Sequence, residues 1–179
     1  MVENAVSQYK AHGMPLDVVF LDIPYMSGYV DFSVNKTAFP NLTAFVKELH
    51  SNRQHLIPIV DAAISADDTS NKYYQLGNKE NAFIKSAIHQ NETYSNNLIN
   101  QVWPNISVFV DWFNENSTKM WFTGLDDLYN ETLYDGIWID MNEPWGFQTG
   151  ELDPKNITWV PVSSPEQPVS LPRCKKIFM

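Results

Sequence analysis

Residues 136–143 read Gly-Ile-Trp-Ile-Asp-Met-Asn-Glu, and this stretch decides the fold prediction. Its apolar run has little polar alternation, which is typical of a strand covered on both faces in a parallel sheet. The run ends in Asp140, and Trp138 lies two residues earlier, on the same face of a strand. A carboxylate beside an aromatic ring suits a sugar site, because the ring packs on the apolar face of a pyranose. The same residue types also allow Asp140 to cap a turn and Trp138 to belong to the core.

Two earlier stretches repeat the pattern of an apolar run followed by an aspartate. Residues 16–21 read Leu-Asp-Val-Val-Phe-Leu and precede Asp22, and residues 55–60 read His-Leu-Ile-Pro-Ile-Val and precede Asp61. Between them, apolar residues recur at three- and four-residue steps over residues 41–50, which predicts an amphipathic helix. Strand, helix and strand in this order predict a βαβ unit with parallel strands.

A long polar stretch divides the rest of the chain. Residues 65–102 are rich in Asn, Ser and Tyr and have no clean period, so we predict a loop insertion with room for a small sheet or helix. We predict two more helices, at residues 2–12 and 118–129. The proline-rich composition of residues 151–179 predicts an irregular tail. The element order over residues 1–150 is consistent with part of a (β/α)8 barrel, whose strand ends point into an active site. A doubly wound sheet also places ligands at strand ends, so position alone leaves both folds open.

The composition indicates a globular, acidic protein. Of the 179 residues, 44% are hydrophobic and 13% are aromatic, and the formal net charge is −9. This charge repels phosphate backbones, and the lysines and arginines form no cluster, so we expect no nucleic-acid binding. No apolar run approaches the roughly 20 residues of a membrane-spanning helix. Residues 1–15 have neither the basic region nor the apolar run of a signal peptide.

Seven Asn-X-Ser/Thr sequons indicate passage through the secretory pathway. Average Ser and Thr usage after this many asparagines would give roughly two by chance. The single Cys174 excludes an internal disulfide framework and would favour a reducing compartment, but the sequon excess points the other way. We therefore expect a lysosomal or extracellular protein, and a natural N-terminus that precedes this sequence. The sequons begin at Asn35, Asn41, Asn91, Asn105, Asn116, Asn130 and Asn156.

The pattern around Asp140 resembles the nucleophile signature of glycoside hydrolase family 31, a family of α-glucosidases. Further segments resemble the family in the same order and spacing, and together they extend over about residues 14–146. The resemblance implies an α/β fold, a partial (β/α)8 TIM barrel with about strands 2 to 4 and a long insertion after the second β-segment present. The segments are residues 15–26, 31–32, 38–39, 48–50, 59–65, 102–104 and 108–111.

The resemblance also implies roles for individual residues. Asp140 would be the nucleophile of a retaining, exo-acting α-glucosidase, attacking the anomeric carbon of a terminal α-linked glucose to form a covalent glycosyl-enzyme. Asp22 would accept hydrogen bonds from the glucose hydroxyl groups. Asp61 and Asp111 are expected to be structural, and Glu143 to orient neighbouring groups. The walls of the pocket would be formed by Ile23, Ile59, Trp103, Trp138 and Met141.

No cofactor and no metal are expected. Asp140, Asn142 and Glu143 could offer oxygen ligands to a hard cation, but their loop is not rich in Asp, Asn and Gly, and no histidine is near in sequence. The expected partner is an α-linked oligosaccharide or glucan substrate. The oligomeric state stays open.

The second carboxyl group of the mechanism has no counterpart here. The resemblance places the acid/base aspartate after the fourth barrel strand, beyond the matching segments. Missing proton donation alone lowers a rate by about 10²–10⁴-fold, and a partial barrel exposes sheet edges. We therefore expect this chain, by itself, to be inactive and poorly folded. The alternative is a catalytically inactive carbohydrate-binding or pseudoenzyme fragment that lacks the acid/base.

Overall fold

The structure is a computed structural model that describes residues 2–61, 63–90 and 92–157. The chain forms two compact units. Unit 1 comprises Met1–Asp61 and Phe122–Asp140, and unit 2 comprises Ala62–Trp121 and Met141–Met179. The predicted tail of residues 151–179 lies outside the described residues from position 158 onward.

Unit 1 contains a parallel three-stranded sheet. Its strands are β1 (Val18–Leu21), β2 (His55–Asp61) and β6 (Trp138–Asp140), in the order β1-β2-β6. Val18 of β1 pairs with His55, and Ile59 pairs with Trp138 of β6. The three strands predicted from apolar runs are therefore confirmed, with bounds shifted by one or two residues.

Helices flank these strands in the sequence as predicted. They are α1 (Val2–Ala11), α2 (Leu42–Ser51) and α4 (Ser117–Thr132), the last of which begins in unit 2. The predicted apolar stripe of α2 is buried, because its members recur every three or four residues and face one side of the helix. Within α4, Gly124 leaves room for a ring, since a Cβ atom there would lie 2.4 Å from Cδ2 of Phe32. The buried stripe of α2 consists of Leu42, Phe45, Val46 and Leu49.

Unit 2 contains an antiparallel three-stranded sheet. Its strands are β3 (Ala63–Ser65), β4 (Ile99–Val102) and β5 (Asn105–Phe109), in the order β3-β5-β4. A helix, α3 (Lys72–Lys79), follows β3, and its Tyr74 ring stacks on Phe83 with 6.0 Å between ring centroids. Residues 65–102, predicted to form a loop insertion with room for a small sheet or helix, include α3 and β4. Hydrophobic periodicity could not locate β4, because this strand buries polar side chains: Asn100 is 1% exposed and Gln101 is 2% exposed.

The described helices are too short and too polar to cross a membrane.

Candidate active site

Three aspartates lie at the carboxyl ends of the parallel strands of unit 1. Asp140 is the last residue of β6 and Asp61 is the last residue of β2, and the two residues pair directly in the sheet. Asp22 follows the last residue of β1 and begins a short 3-10 turn, where its Oδ1 atom accepts a hydrogen bond from the Ile23 amide at 2.7 Å. Since carboxyl ends of parallel strands meet at one edge of a sheet, the fold gathers these acids.

The three aspartates differ in exposure. Asp140 and Asp22 are exposed, whereas Asp61 on the central strand is only 4% exposed. Burial first, and then the negative charges of Asp140 and Asp22, together raise the pKa of Asp61 to about 7. Near neutral pH, Asp61 is therefore partly protonated while it lies beside two more accessible acids.

A fourth aspartate, Asp31, lies behind this group. Asp31 is 2% exposed, and its Oδ1 atom accepts a hydrogen bond from the Asp61 amide at 3.1 Å. Burial and then the charge of Asp61 raise the pKa of Asp31 well above its usual range, and the bond from the Asp61 amide offsets only part of this rise. Within the part of the chain that the structure describes, Asp31 Oδ2 and Asp61 Oδ1 have no hydrogen-bond partner.

Tyr25, in the 3-10 turn that follows Asp22, also contacts the end of β2. It is fully buried, and its hydroxyl donates to the Ile59 carbonyl at 2.8 Å. Burial raises the pKa of Tyr25 far above its usual range, and the charges of Asp31, Asp61 and then Tyr134 raise it further. The phenol therefore remains a neutral hydrogen-bond donor to the end of β2.

The apolar residues predicted for the pocket in unit 1 lie close to these acids. Ile59 pairs with Trp138 two residues before the aspartates that end the two strands, so all four share one face of the sheet. Trp138 is half-buried and meets Phe20 of β1 edge to face, with 6.3 Å between ring centroids. Ile23 is half-buried directly after Asp22. The face therefore combines exposed carboxylates with aromatic surface.

The other two predicted wall residues belong to unit 2. Trp103 and Met141 pack, partly buried, against a core cluster that includes Val102 and Phe109. The Trp103 ring also meets Phe147 edge to face at 5.0 Å. Met141 has a positive φ of 59°, which turns the chain sharply after the strand. Asp111, expected to be structural, accepts a hydrogen bond from the Phe113 amide at 3.1 Å in a local turn.

Sequence reasoning assigned no role to Asp31 and only a structural role to Asp61. Asp61 carried a usable signal, because it ends an apolar run just as Asp140 does. Asp31 lies in one of the segments that resemble the family, but no apolar run precedes it, and only tertiary packing brings it to the Asp61 amide.

The fold and the acids define a class of protein, an α/β domain with parallel strands whose carboxyl ends hold clustered carboxyl groups. The sequence model described as the TIM-barrel domain of glycosyl hydrolases family 31 matches residues 1–167. Lysosomal alpha-glucosidase of Bos taurus is 37% identical over 174 residues, which are 96% of this chain and 17% of that protein. Glucoamylase 1 of Candida albicans is 36% identical over 157 residues, which are 83% of this chain and 16% of that protein.

Solved structures give the same result. A glucosidase II alpha subunit bound to DNJ superposes with a TM-score of 0.72 at 25% identity, covering 86% of this chain and 16% of that one. The chain belongs to glycosyl hydrolases family 31 and matches its TIM-barrel domain. It spans about a sixth of the length of the relatives named above.

Proposed function

We propose that this chain contributes about strands 2 to 4 of the catalytic (β/α)8 barrel of a retaining, exo-acting α-glucosidase, with Asp140 as its nucleophile. The observation that carries the proposal is the exposed carboxyl group of Asp140 at the end of β6, in register with the buried Asp61. An exposed acid at the carboxyl end of a barrel strand can reach a bound sugar, whereas a buried one cannot.

The proposed reaction begins at the anomeric carbon of a terminal α-linked glucose. A carboxylate oxygen of Asp140 attacks this carbon, the bond to the leaving oxygen breaks, and a covalent glycosyl-enzyme forms. Asp22 accepts hydrogen bonds from the glucose hydroxyl groups. Ile23, Ile59 and Trp138 supply the apolar wall of the pocket within unit 1.

A retaining enzyme also needs a carboxylic acid about 5–5.5 Å from the nucleophile to protonate the leaving oxygen. Asp61 holds a proton near neutral pH but is only 4% exposed, so it has no access to a leaving group. Asp22 is exposed but is assigned to the hydroxyl groups. We therefore assign the acid/base role to another segment of the catalytic barrel, outside these 179 residues, and expect no turnover from these residues by themselves.

The relatives support the proposed substrate class and compartment. Relatives are named lysosomal alpha-glucosidase, glucoamylase and sucrase-isomaltase, which supports terminal α-linked glucose in an oligosaccharide or glucan. One relative is named for the lysosome, and a structural neighbour is an ER glucosidase II, which supports a place in the secretory pathway. Among the described residues, five sequon asparagines are exposed and could carry a glycan: Asn41, Asn105, Asn116, Asn130 and Asn156.

A glycosyl fluoride tests the nucleophile without requiring the acid/base. Fluoride leaves with little proton donation, so an activated 5-fluoro-α-glucosyl fluoride should label Asp140, and the adduct should persist because no base activates water. Peptide mass spectrometry should locate one hexose-sized adduct on Asp140 in the wild-type chain and none in Asp140→Asn. Asp17→Asn is the matched control, since it makes the same change in an exposed residue that precedes β1, at the opposite end of the sheet.

Binding is measured in parallel with the iminosugar DNJ. Isothermal titration calorimetry should detect DNJ binding to the wild-type chain, weakened by Asp22→Ala or Asp140→Asn and unchanged by Asp17→Asn. Binding without labelling would favour the non-catalytic carbohydrate-binding alternative. If a folded chain shows no DNJ binding and no labelling, the proposed sugar site is refuted. Maltose hydrolysis by the purified chain would refute the assignment of the acid/base elsewhere.

A further inference from the structure

Asp31 is the most deeply placed acid near the strand ends. It lies in the irregular segment between the 3-10 turn and α2, and its Oδ1 atom accepts a hydrogen bond at 3.1 Å from the amide of Asp61, the last residue of β2. Tyr25, the last residue of the 3-10 turn, donates a hydrogen bond from its hydroxyl to the carbonyl of Ile59, two residues before Asp61. These two hydrogen bonds fix the end of β2 from behind, at the position where Asp61 lies beside Asp140.

The surroundings of Asp31 disfavour a negative charge on it. The side chain is 2% exposed, so ionisation would place a charge in a low-dielectric interior. Asp61 lies next to it, with Asp22 and Asp140 beyond, and Tyr25 is a neutral phenol. Among residues 2–61, 63–90 and 92–157, no lysine or arginine forms an ion pair with Asp31 or Asp61.

The unpartnered atoms fit a neutral acid. Asp31 Oδ1 is occupied by the Asp61 amide, so a proton on this carboxyl group belongs on Oδ2. Oδ2 is buried without a partner, as is Oδ1 of Asp61. A protonated Oδ2 is a donor and the Asp61 oxygen is an acceptor, so the two missing partners are complementary in type.

We propose that Asp31 is a positioning residue of the active site: a neutral, protonated carboxyl group that holds the end of β2 beside Asp140. The inference rests on the proposed function, because it assumes that Asp140 lies at the sugar-binding site. A neutral Asp31 fixes the backbone at Asp61 without adding a further negative charge to the strand-end acids.

Two substitutions separate the hydrogen bond from the charge. Asp31→Asn keeps an oxygen acceptor for the Asp61 amide and is permanently neutral, so it imitates the protonated acid. Asp31→Leu has a similar size but leaves that buried amide without an acceptor. Thr132→Val is the control, because Thr132 is also fully buried and donates to Leu128 at 2.8 Å, within α4 rather than at the strand ends.

The first measurement is the dissociation constant of DNJ from about pH 5 to about pH 8, the range in which raised carboxyl pKa values lie. We expect Asp31→Asn to follow the wild-type curve within about twofold, and Asp31→Leu to bind about tenfold or more weakly, the scale of one unsatisfied buried amide. Thr132→Val should stay within about twofold of wild type, since its lost bond is remote from Asp140. If Asp31→Asn shifts the curve or weakens binding as much as Asp31→Leu, a charged Asp31 is required and the proposal is wrong.

The second measurement needs no ligand. Infrared difference spectra at about pH 8, above the ordinary carboxyl range, should show the C=O stretch of a protonated carboxylic acid in the wild-type chain. The band should persist in Asp61→Asn and disappear in Asp31→Asn, which a purely structural role would not predict. Absence of the band overturns the proposal. If the band is present but DNJ does not bind to the wild-type chain, the proposed function fails while the protonation of Asp31 stands.

Discussion

Replacing Asp61 by asparagine should increase the free energy of unfolding at neutral pH and flatten its dependence on pH. The physical reason is the environment of the carboxyl group, which is 4% exposed and lies beside Asp140. Asparagine has nearly the same shape and no charge, so the substitution removes the cost of a buried negative charge with little change in packing. The backbone amide that donates to Asp31 is retained.

The magnitude follows from the pKa of Asp61. Burial first, and then Asp140 and Asp22, raise this pKa from 3.8 to about 7. The difference is about three pH units, and each unit corresponds to about 1.4 kcal/mol, so the charge destabilises the native chain by up to about 4 kcal/mol. Between these two pKa values the native state holds the proton and the unfolded state does not. Stability from this group is therefore complete below about pH 4 and falls as the pH rises to about 7.

Urea denaturation followed by tryptophan fluorescence measures the effect. At about pH 4 the variant and the wild type should have similar free energies of unfolding, and at about pH 8 the variant should be more stable by about 2–4 kcal/mol. Asp17→Asn makes the same chemical change at an exposed residue and should match the wild type at both pH values. A variant that is no more stable than the wild type at about pH 8 would refute the reasoning.

Three further predictions concern packing and hydrogen bonds. Gly124→Ala should lower the free energy of unfolding by about 1–3 kcal/mol in urea denaturation, because its Cβ would lie 2.4 Å from the ring of Phe32; an unchanged midpoint would contradict this. Gly146→Ala places a Cβ 2.5 Å from Cγ of Asn100. In a double-mutant cycle, Gly146→Ala should therefore lower the free energy of unfolding less in the Asn100→Ala chain than in the wild type, whereas simple additivity would reject the contact. Burial raises the pKa of Asp135, but hydrogen bonds from the Leu56 amide and two histidines outweigh burial, so the net pKa is lowered. The wild type should therefore be more stable than Asp135→Asn at neutral pH, and it should lose this advantage as the pH falls below about 4. An advantage that grows in acid would contradict the last assignment.

Local sequence patterns predicted the elements of unit 1 because these elements depend on apolar periodicity. Leu42, Phe45, Val46 and Leu49 recur at helical spacing and are buried on one face of α2. The apolar runs before Asp22, Asp61 and Asp140 became the three parallel strands. In each case the same residues that specify the element also form its packed face, so the pattern could be found without knowledge of the partners.

The sheet of unit 2 was not predictable in the same way. Its β4 strand buries Asn100, whose side-chain amide donates to the carbonyls of Gln148 at 3.0 Å and Gly150 at 2.6 Å. These partners lie about fifty residues further along the chain. A polar residue that is buried through distant hydrogen bonds looks like a surface residue in the sequence, so residues 65–102 were predicted as a loop insertion whose small sheet or helix could not be placed.

Local sequence features are enough to show that three apolar strands end in aspartates and that Asp140 lies in a family 31 segment. The exposure or burial of each acid, in contrast, depends on how the elements pack in three dimensions. The register of β2 with β6 places Asp61 beside Asp140, and packing brings Asp31 to the Asp61 amide. The pKa values of these groups depend on burial and on neighbouring charges, and both are set by contacts between residues that are distant in the chain.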